Sequence, residues 1–279
     1  MFPELVRYLP LSSIAVANKL RWRNRLVGQV LQRAARFVKN RDTVIQRGLG
    51  RGLRFNAGNS HSGYVLGTVK PDVQRVLAMT LRPEMVFYDI GANVGFFSMI
   101  AARLVGLNGR VICFEPLAMN TERIKHNTSL NHFSNVIVKQ LALGSQDGSA
   151  EFSLSRFATF GRFSDLGAPD GYTGNTIVPV QRLDSVIKSG SFQPDFIKMD
   201  VEGAEVDVLK GGTEMLRESR PLLLIELHGT NGQMADVLAD HDYLVEVLGG
   251  TNRDIRTAHW NANVFAVPKE RSALIESLG

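Results

Sequence analysis

The sequence has little cysteine and no long apolar stretch. Its single cysteine, Cys113, lies in the apolar run VICF, so the chain can form neither an internal disulfide nor a thiolate metal cluster. No apolar run approaches the roughly 18 residues that a membrane-spanning helix requires. The six histidines are scattered and form no H-E-x-x-H motif, and we predict no metal site, although a Mg²⁺ bound by the carboxylates of Asp200 and Glu226 stays open. These absences favour a cytoplasmic location. The apolar run around Cys113 predicts that this residue is buried on a strand.

Positive charge is concentrated at the start of the chain. Residues 1–54 contain 12 Lys or Arg against 2 Asp or Glu, whereas the whole chain has a net charge of +5. Apolar residues recur at helical spacing over 20–38 and arginines occupy much of the rest, which predicts a basic amphipathic helix. We therefore divide the chain into a helical arm, 1–54, and a main domain, 55–279. The arm either packs on the domain with its arginines in water or binds an anionic membrane or nucleic acid.

From residue 85 onward, short apolar strands alternate with helices, of which the clearest are predicted at 96–105 and 117–130. This alternation predicts a doubly wound, Rossmann-like α/β fold with a mostly parallel seven-stranded sheet covered on both faces. The last two strands have no long helix between them, so we expect them to pair antiparallel. The seven predicted strands are MVFYDI, RVICFE, NVIVKQ, DFIKMD, PLLLIE, YLVEVL and NVFAVP.

An insertion at about 145–182 interrupts the alternation. The runs AEFSLS and TIVPVQ predict a pair of extended strands, and the segment between them is rich in glycine and aromatic residues without periodicity. Long loops within compact domains are usually functional or mobile. The insertion is therefore either a lid over a substrate or a disordered excursion.

The segment YDIGANVGFF, 88–97, joins a predicted strand to a predicted helix through a tight turn. In open α/β sheets, ligands bind at the carboxyl ends of strands where the strand order reverses. Gly91 and Gly95 would let a ligand approach the backbone where a Cβ would collide. Glu115 ends the next strand, where a carboxylate can accept the hydroxyl hydrogens of a ribose. The G-x-x-x-G spacing disfavours a dinucleotide, whose pyrophosphate requires G-x-G-x-x-G, and leaves simple strand–helix packing as the alternative.

Ionisable residues also end two later strands. DFIKMDVEGAE places Lys198, Asp200 and Glu202 at alternating positions, and LLLIELH places Glu226 and His228 likewise. Such groups at the end of an apolar strand are costly unless they pair or take part in chemistry. The alternative is an ion network that only seals the sheet.

Taken together, these segments resemble the FkbM family of methyltransferases over roughly residues 50–268. The resemblance does not extend to the basic arm. The matching pieces, in the family's order, are YDIGANVGFFSM, GRVICFEP, LALG at 141–144, VQRLDS at 180–185, DFIKMDVEGAE and LLLIELH.

The resemblance implies a class I methyltransferase fold with S-adenosylmethionine as the methyl donor, and members typically methylate hydroxyls of natural products, sugars or glycolipids. It implies that Glu115 holds the ribose beside Pro116, and that Ala142 and Leu143 contact the adenine. Lys198, Asp200 and Glu202 match the K-x-D-x-E positions near the reacting methyl. The residues implied at the methionine end of the cofactor are Asp89, Gly91, Ala92, Asn93 and Gly95.

Methylation of a hydroxyl requires a base within hydrogen-bond reach of its proton. We expect Asp200 or His228 to be that base, while Lys198, Glu202 and Glu226 position the reactants. The alternative for His228 is a core histidine whose hydrogen bond is made by Glu226.

The predicted function is O-methylation of a small-molecule, sugar or lipid-linked acceptor. A nucleic-acid acceptor is disfavoured because the sequence has neither a D/N-P-P-Y/F motif nor a Pro–Cys nucleophile, although ribose 2′-O-methylation of RNA stays open. A non-catalytic binding module on the same fold is the other alternative. The basic arm adds the expectation of peripheral contact with a membrane.

Overall fold

The computed structural model describes residues 40–61, 63–155, 161–250 and 252–277, so the helix predicted at 20–38 lies outside the described residues. Downstream of it, β1 (Thr43–Val44) and β2 (Arg54–Phe55) pair antiparallel. Ile45 and Leu53 lie between these strands and belong to the main hydrophobic core. The core of the domain therefore reaches upstream of residue 55, into the segment that the sequence assigned to the arm.

The centre of the fold is the predicted seven-stranded sheet. Its strands are β3 (Val86–Ile90), β4 (Arg110–Phe114), β5 (Val136–Lys139), β10 (Phe196–Met199), β11 (Leu222–Glu226), β12 (Tyr243–Val247) and β13 (Asn263–Pro268). The spatial order is β12-β13-β11-β10-β3-β4-β5. The five strands from β11 to β5 run parallel, and β13 pairs antiparallel with both β11 and β12. The mostly parallel sheet and the antiparallel pairing of the last two strands are confirmed.

Helices cover both faces of this sheet, which confirms the doubly wound fold. They are α1 (Gly63–Leu66), α2 (Pro71–Thr80), α3 (Phe96–Val105), α4 (Ala118–Leu130), α5 (Leu183–Lys188), α6 (Glu205–Lys210), α7 (Thr213–Glu218), α8 (Asn231–Asp240) and α9 (Ala273–Glu276). Successive residues of β3 point to opposite faces, so Phe87 joins one core cluster and Tyr88 the other. This explains why the strands are apolar throughout rather than alternating.

The strand order reverses between β3 and β10. From β3 the chain builds β4 and β5 on one side, and it later returns to place β10 on the other side of β3. A crevice therefore opens at the carboxyl ends of these two strands, as open α/β sheets require at such a reversal. The glycine turn and the ionisable residues after β10 both lie at this crevice.

The insertion forms a small sheet of its own, with β6 (Ala142–Leu143), β7 (Gly148–Ser155), β8 (Gly161–Phe163) and β9 (Tyr172–Gln181) in the order β6-β9-β7-β8. The predicted pairing of its two longer strands is confirmed, since β7 and β9 pair antiparallel. A short 3₁₀ turn, Ser164–Leu166, follows β8.

Two further sequence expectations concern burial and membranes. Cys113 is fully buried on β4, as predicted, and burial raises the pKa of its thiol. Within the described ranges, each helix is too short or too polar to cross a lipid bilayer.

Candidate active site

One cavity lies directly at the crevice, where the turn after β3 meets the end of β4. The predicted cofactor residues that line it are Gly91, Ala92, Asn93, Glu115, Pro116, Ala142 and Leu143, and we call it the Glu115 pocket. Phe114 and Leu141 add apolar walls, while Asp200 and Glu202 add carboxylates at one end. The pocket therefore combines exposed backbone, apolar surface and negative charge.

Glu115 is buried beneath the turn and holds it in shape. Its carboxylate accepts hydrogen bonds from the backbone N–H of Asn93 (2.9 Å), the backbone N–H of Leu117 (3.1 Å) and the side-chain amide of Asn120 (3.1 Å). Burial raises the pKa of Glu115 to about 7, against the lowering effect of these hydrogen bonds. The carboxylate links the ends of β3 and β4 while still lining the pocket.

Gly91 is required for a different reason from the one that the sequence suggested. Its φ is +73°, and a Cβ at this position would lie 1.9 Å from the carbonyl oxygen of Asp200. The glycine thus lets the turn after β3 pack against the residue that follows β10. Its role is close approach between two backbone segments, not only room for a ligand.

Two of the predicted cofactor residues do not line the pocket. Asp89 is fully buried, accepts a hydrogen bond from Ser98 (2.6 Å) and pairs with Lys198 (3.3 Å). Gly95 precedes α3 with a φ of +84°, and its Cα faces Ile124 of α4. Both residues support the turn from behind.

Beyond the pocket, a cluster of charged side chains follows β10 and β11. We call it the Asp200 cluster. Its members are Lys70, Lys198, Asp200, Glu202, Glu205, Glu226 and His228. The structure thus brings together all five predicted catalytic residues, and it adds Lys70 and Glu205, which the sequence analysis did not select.

Asp200 is the most heavily paired carboxylate of the cluster. Its Oδ2 lies 2.8 Å from Nζ of Lys70 and 3.8 Å from Nζ of Lys198. Burial alone would raise the pKa of Asp200, but these two cations outweigh it and hold the pKa below its ordinary value. A carboxylate held in its charged form is a weak base, so this geometry argues against Asp200 as the proton acceptor.

His228 has the opposite character. Its Nδ1 lies 2.8 Å from Oε1 of the fully buried Glu205, and because a carboxylate only accepts, Nδ1 carries the hydrogen. Nε2 faces Asp200 at 3.8 Å and Glu202 at 3.7 Å, beyond hydrogen-bond distance from either. The prediction that Glu226 makes the hydrogen bond of His228 is therefore wrong, since the partner is Glu205.

The surroundings of His228 also tune its proton affinity. Burial alone would lower the pKa of His228, but the hydrogen bond to Glu205 and the nearby carboxylates raise it to about 9. Burial raises the pKa of Glu202, and burial together with the Asp200 carboxylate raises that of Glu226. His228 is therefore a stronger base than Asp200, but below about pH 9 its imidazole is mostly protonated, so only its neutral fraction can accept a proton.

Three hydrogen-bond partners fix the position of the Glu205 carboxylate. Besides His228, its carboxylate accepts hydrogen bonds from the Gly203 N–H (3.0 Å) and from the Thr230 hydroxyl (3.1 Å). Glu205 begins α6, three residues after Glu202 in the same segment DFIKMDVEGAE. A carboxylate in the first turn of a helix was the sequence signal that could have identified it.

A second cavity, of about 590 Å³, adjoins the first. We call it the Trp260 cavity, since the indole of Trp260 is 58% exposed and its ring centroid lies 6.3 Å from that of His228. Glu202 and Gly161 line both cavities. Arg162 and Gln233 supply further polar groups on its wall. His228 therefore lines the Trp260 cavity, and its Nε2 lies 3.7 Å from Glu202, which the two cavities share.

The Glu115 pocket fits S-adenosylmethionine on its own geometry. The buried Glu115 carboxylate at the tip of β4 can accept ribose hydroxyl hydrogens, and Phe114 and Leu141 offer apolar surface for a purine ring. Asp200 and Glu202 also line the pocket, and their carboxylates would favour binding of the sulfonium cation.

Comparison with known proteins gives a family match. Residues 89–252, more than half of the chain, match the model of the methyltransferase FkbM domain. The hexuronic acid methyltransferase AglP of Haloferax volcanii is 30% identical over 185 residues, which cover 66% of this chain and 73% of AglP. The 2-O-methyltransferase NoeI of Sinorhizobium fredii is 26% identical over 163 residues, covering 53% of this chain and 65% of NoeI.

A solved structure gives a similar match. The methyltransferase FkbM from Methylobacillus flagellatus KT aligns with a TM-score of 0.45 at 21% identity, covering 65% of this chain and 43% of the other.

Lys70 and Trp260 both lie outside the residues that match the family model.

Proposed function

We propose that this chain, which belongs to the FkbM methyltransferase family, transfers a methyl group from S-adenosylmethionine to a hydroxyl of a sugar or related small molecule. The observation that carries the proposal is the position of His228. His228 lines the Trp260 cavity, its Nδ1 is held by Glu205, and its Nε2 lies 3.7 Å from Glu202, which lines both the Trp260 cavity and the Glu115 pocket. This arrangement provides a proton acceptor on the wall of the proposed acceptor site, next to the proposed donor site.

S-adenosylmethionine, when bound in the Glu115 pocket, supplies an electrophilic methyl group. The protein then has to hold an acceptor oxygen in line with that methyl at about 3 Å and to take up its proton. In this proposal, neutral Nε2 of His228 takes the hydroxyl proton as the oxygen–methyl bond forms and the methyl–sulfur bond breaks, which would leave the donor as a neutral thioether. Glu205 keeps the imidazole in the correct tautomer and stabilises the imidazolium that results.

The remaining charged residues act by position. Lys198 is buried beside Asp89 and Asp200 and fixes the end of β10 against the end of β3. Asp200 and Glu202, which line the Glu115 pocket, favour binding of the cationic donor over the neutral product. Glu226 completes the cluster through its ion pair with Lys70.

A sugar acceptor is supported by the Trp260 cavity. An exposed indole offers a flat apolar face for the C–H groups of a pyranose ring, and the Arg162 and Gln233 side chains offer donors for its oxygens. Two relatives are named for the methylation of a hexuronic acid and for 2-O-methylation, which agrees with this chemistry.

The direct test is incubation of the full chain with isotopically labelled S-adenosylmethionine and a set of acceptors, followed by mass spectrometry. The set contains methyl β-D-glucuronide, methyl β-D-glucoside, a lipid extract and a short RNA. We expect a gain of one methyl group on a glycoside and none on RNA. Transfer to RNA alone, abolished by deletion of residues 1–39, would overturn the sugar assignment and favour the 2′-O alternative.

We also propose that the protein works in the cytoplasm, and that the basic arm brings it to an anionic membrane where lipid-linked sugars are found. The support is the charge of the arm alone. Sedimentation with vesicles of phosphatidylglycerol, but not of phosphatidylcholine, is expected for the intact chain. Equal sedimentation with both vesicles would contradict this part of the proposal.

A further inference from the structure

The ammonium group of Lys70 lies inside the carboxylates of the Asp200 cluster. Its Nζ is 2.8 Å from Oδ2 of Asp200, and it also contacts Oε2 of Glu226. The three side chains are all largely shielded from solvent. One cation therefore bridges two carboxylates that come from different strands of the sheet.

The surrounding groups form a ligand set for a metal ion. Asp200, Glu226 and His228 each offer one ligand atom, and these atoms all lie within 4.8 Å of one another. Two carboxylates and an imidazole suit divalent ions such as Mn²⁺. Lys70 supplies positive charge at the same carboxylate oxygens that would bind such an ion.

The backbone at Lys70 shows that its position is imposed. Lys70 has φ 45° and ψ 66°, in the left-handed region, and it directly precedes Pro71. Residues with a Cβ avoid this region, and a following proline normally favours an extended conformation. Gln74 holds the strained residue from both sides: its side chain donates to the Val69 carbonyl (2.7 Å) and its backbone N–H donates to the Lys70 carbonyl (3.1 Å).

We propose that Asp200, Glu226 and His228 form a cation site that this chain fills with its own Lys70, so that the ammonium group takes the place of a divalent metal ion. Lys70 is a positioning residue: it keeps two like-charged carboxylates together beside the reacting groups. The native enzyme needs no metal for activity. Shortening Lys70 removes the cation and converts the same residues into a metal site.

The test compares two substitutions that remove the same charge. Lys70→Ala leaves space between the carboxylates, whereas Lys70→Met fills that space with an uncharged chain of similar length. Mn²⁺ binding is measured by calorimetry and by electron paramagnetic resonance, neither of which needs methyl transfer. We expect one tightly bound Mn²⁺ per chain for Lys70→Ala, and none for the native protein, for Lys70→Met or for Lys70→Ala combined with Glu226→Gln.

Activity gives the second readout, and it rests on the proposed function. Native activity should stay within twofold in EDTA. Lys70→Ala should lose at least tenfold in kcat, and added Mn²⁺ should not restore it, because an ion bound to Nε2 of His228 occupies the atom that takes the proton. Lys70→Met should lose as much. Lys70→Arg should retain more activity than Lys70→Met because it keeps the charge.

Two results would overturn the inference. One is a native enzyme that binds Mn²⁺ at this cluster, with activity that EDTA removes and metal restores. The other is a folded Lys70→Ala protein that binds no more Mn²⁺ than the double variant does. If Lys70→Ala fails to fold, the measurement on the native protein still decides. Absence of methyl transfer with the expected Mn²⁺ binding would refute the proposed function and leave the cation site intact.

Discussion

The Glu115 pocket and the Asp200 cluster lie side by side at one edge of the sheet, yet they are built differently. The pocket uses backbone from one short turn and a single carboxylate at the next strand end. The cluster uses charged side chains that start at residue 70 and end at residue 228. A pocket for a cofactor can be built from one short stretch of chain. Proton transfer in a buried site needs several charged side chains of opposite sign, so that no charge is left without a partner.

This contrast predicts that substitutions in the two regions will fail in different ways. The largest effect is expected at His228. His228→Ala removes the proposed proton acceptor, so kcat should fall by about 10²–10⁴-fold while the Kd for S-adenosylmethionine stays within twofold. Single-turnover methyl transfer and calorimetry measure the two quantities. The control is His126→Ala, an exposed histidine on α4 that pairs with Asp42. Retention of activity by His228→Ala would remove the base assignment.

Gly91 connects the two regions, so its substitution should damage both. Gly91→Ala places a Cβ against the Asp200 carbonyl at a positive φ, and we expect the free energy of unfolding to fall by about 2–5 kcal/mol. Gly52→Ala is the matched control, because Gly52 has φ +88° and open space around the added Cβ, and it should lose about 1–2 kcal/mol. Urea denaturation of both variants makes the comparison. Equal losses would mean that the close approach to Asp200 contributes nothing.

The pH dependence of the transfer step should belong to the cluster. Because the pKa of His228 is raised to about 9, its neutral form grows with pH, and kcat/KM should rise about tenfold per pH unit from 7 until it levels near pH 9. Glu205→Gln removes the carboxylate that raises this pKa, so the rise should move to lower pH and reach a lower maximum. Because the pKa of Glu115 is raised to about 7, binding of S-adenosylmethionine should strengthen as pH rises through 7 and level off about one pH unit above it, before the rate does. A flat rate profile would contradict the role of His228.

The raised pKa of His228 also makes the stability of the fold depend on pH. A histidine whose folded pKa exceeds its unfolded value stabilises the fold fully below the unfolded pKa near 6.5, and this contribution is lost as pH rises toward about 9. The difference in unfolding free energy between the native protein and His228→Ala should therefore shrink across that interval.

Glu115 should show the reverse pattern to His228. Glu115→Gln keeps the size but removes the charge, so the Kd for S-adenosylmethionine should rise about 10- to 100-fold, while the transfer step from the saturated enzyme changes little. The matched control is Glu122→Gln, an exposed residue of α4 that pairs only with Lys125 at 2.7 Å. An unchanged Kd for Glu115→Gln would contradict the assignment of the pocket.

The smallest effect is expected at Trp260, which lines the proposed acceptor site. Trp260→Ala should raise KM for a glycoside about 3- to 10-fold with no change in the Kd for S-adenosylmethionine, and Trp260→Phe should retain most of the affinity. The chain has two tryptophans, so the Trp22→Phe variant leaves Trp260 as the sole indole emitter. Its fluorescence should change saturably with methyl β-D-glucuronide. An unchanged KM in Trp260→Ala would contradict the proposal that the indole contacts the sugar ring.

The sequence predicted the fold and the pocket well because their signals are local. Each strand is a short apolar run with polar ends, and the turn and Glu115 lie within 30 residues of one another. The strand-end residues Lys198, Asp200, Glu226 and His228 were also predictable, since the carboxyl ends of parallel strands meet at one edge.

Lys70 and Trp260 were missed because their contribution depends on packing between distant segments. Glu205 lies three residues after Glu202, and it was missed because its partner His228 comes from another strand end. Lys70 reaches the cluster only through an unusual backbone conformation ahead of α2, which has no reliable sequence signal. Trp260 lies in the connection before β13 and meets His228 only after the antiparallel strand is placed. The reason for Gly91 was also hidden, because the colliding atom belongs to a residue 109 positions away.

The insertion sheet has a consequence for how acceptor preference could change among relatives. It leaves the sheet after β5, contributes Ala142 and Leu143 to one cavity and Arg162 to the other, and returns at α5. A single exchangeable segment thus touches donor and acceptor together, while the seven-stranded core stays untouched. Grafting this segment between family members would transfer acceptor range as a unit, and the donor affinity would shift with it.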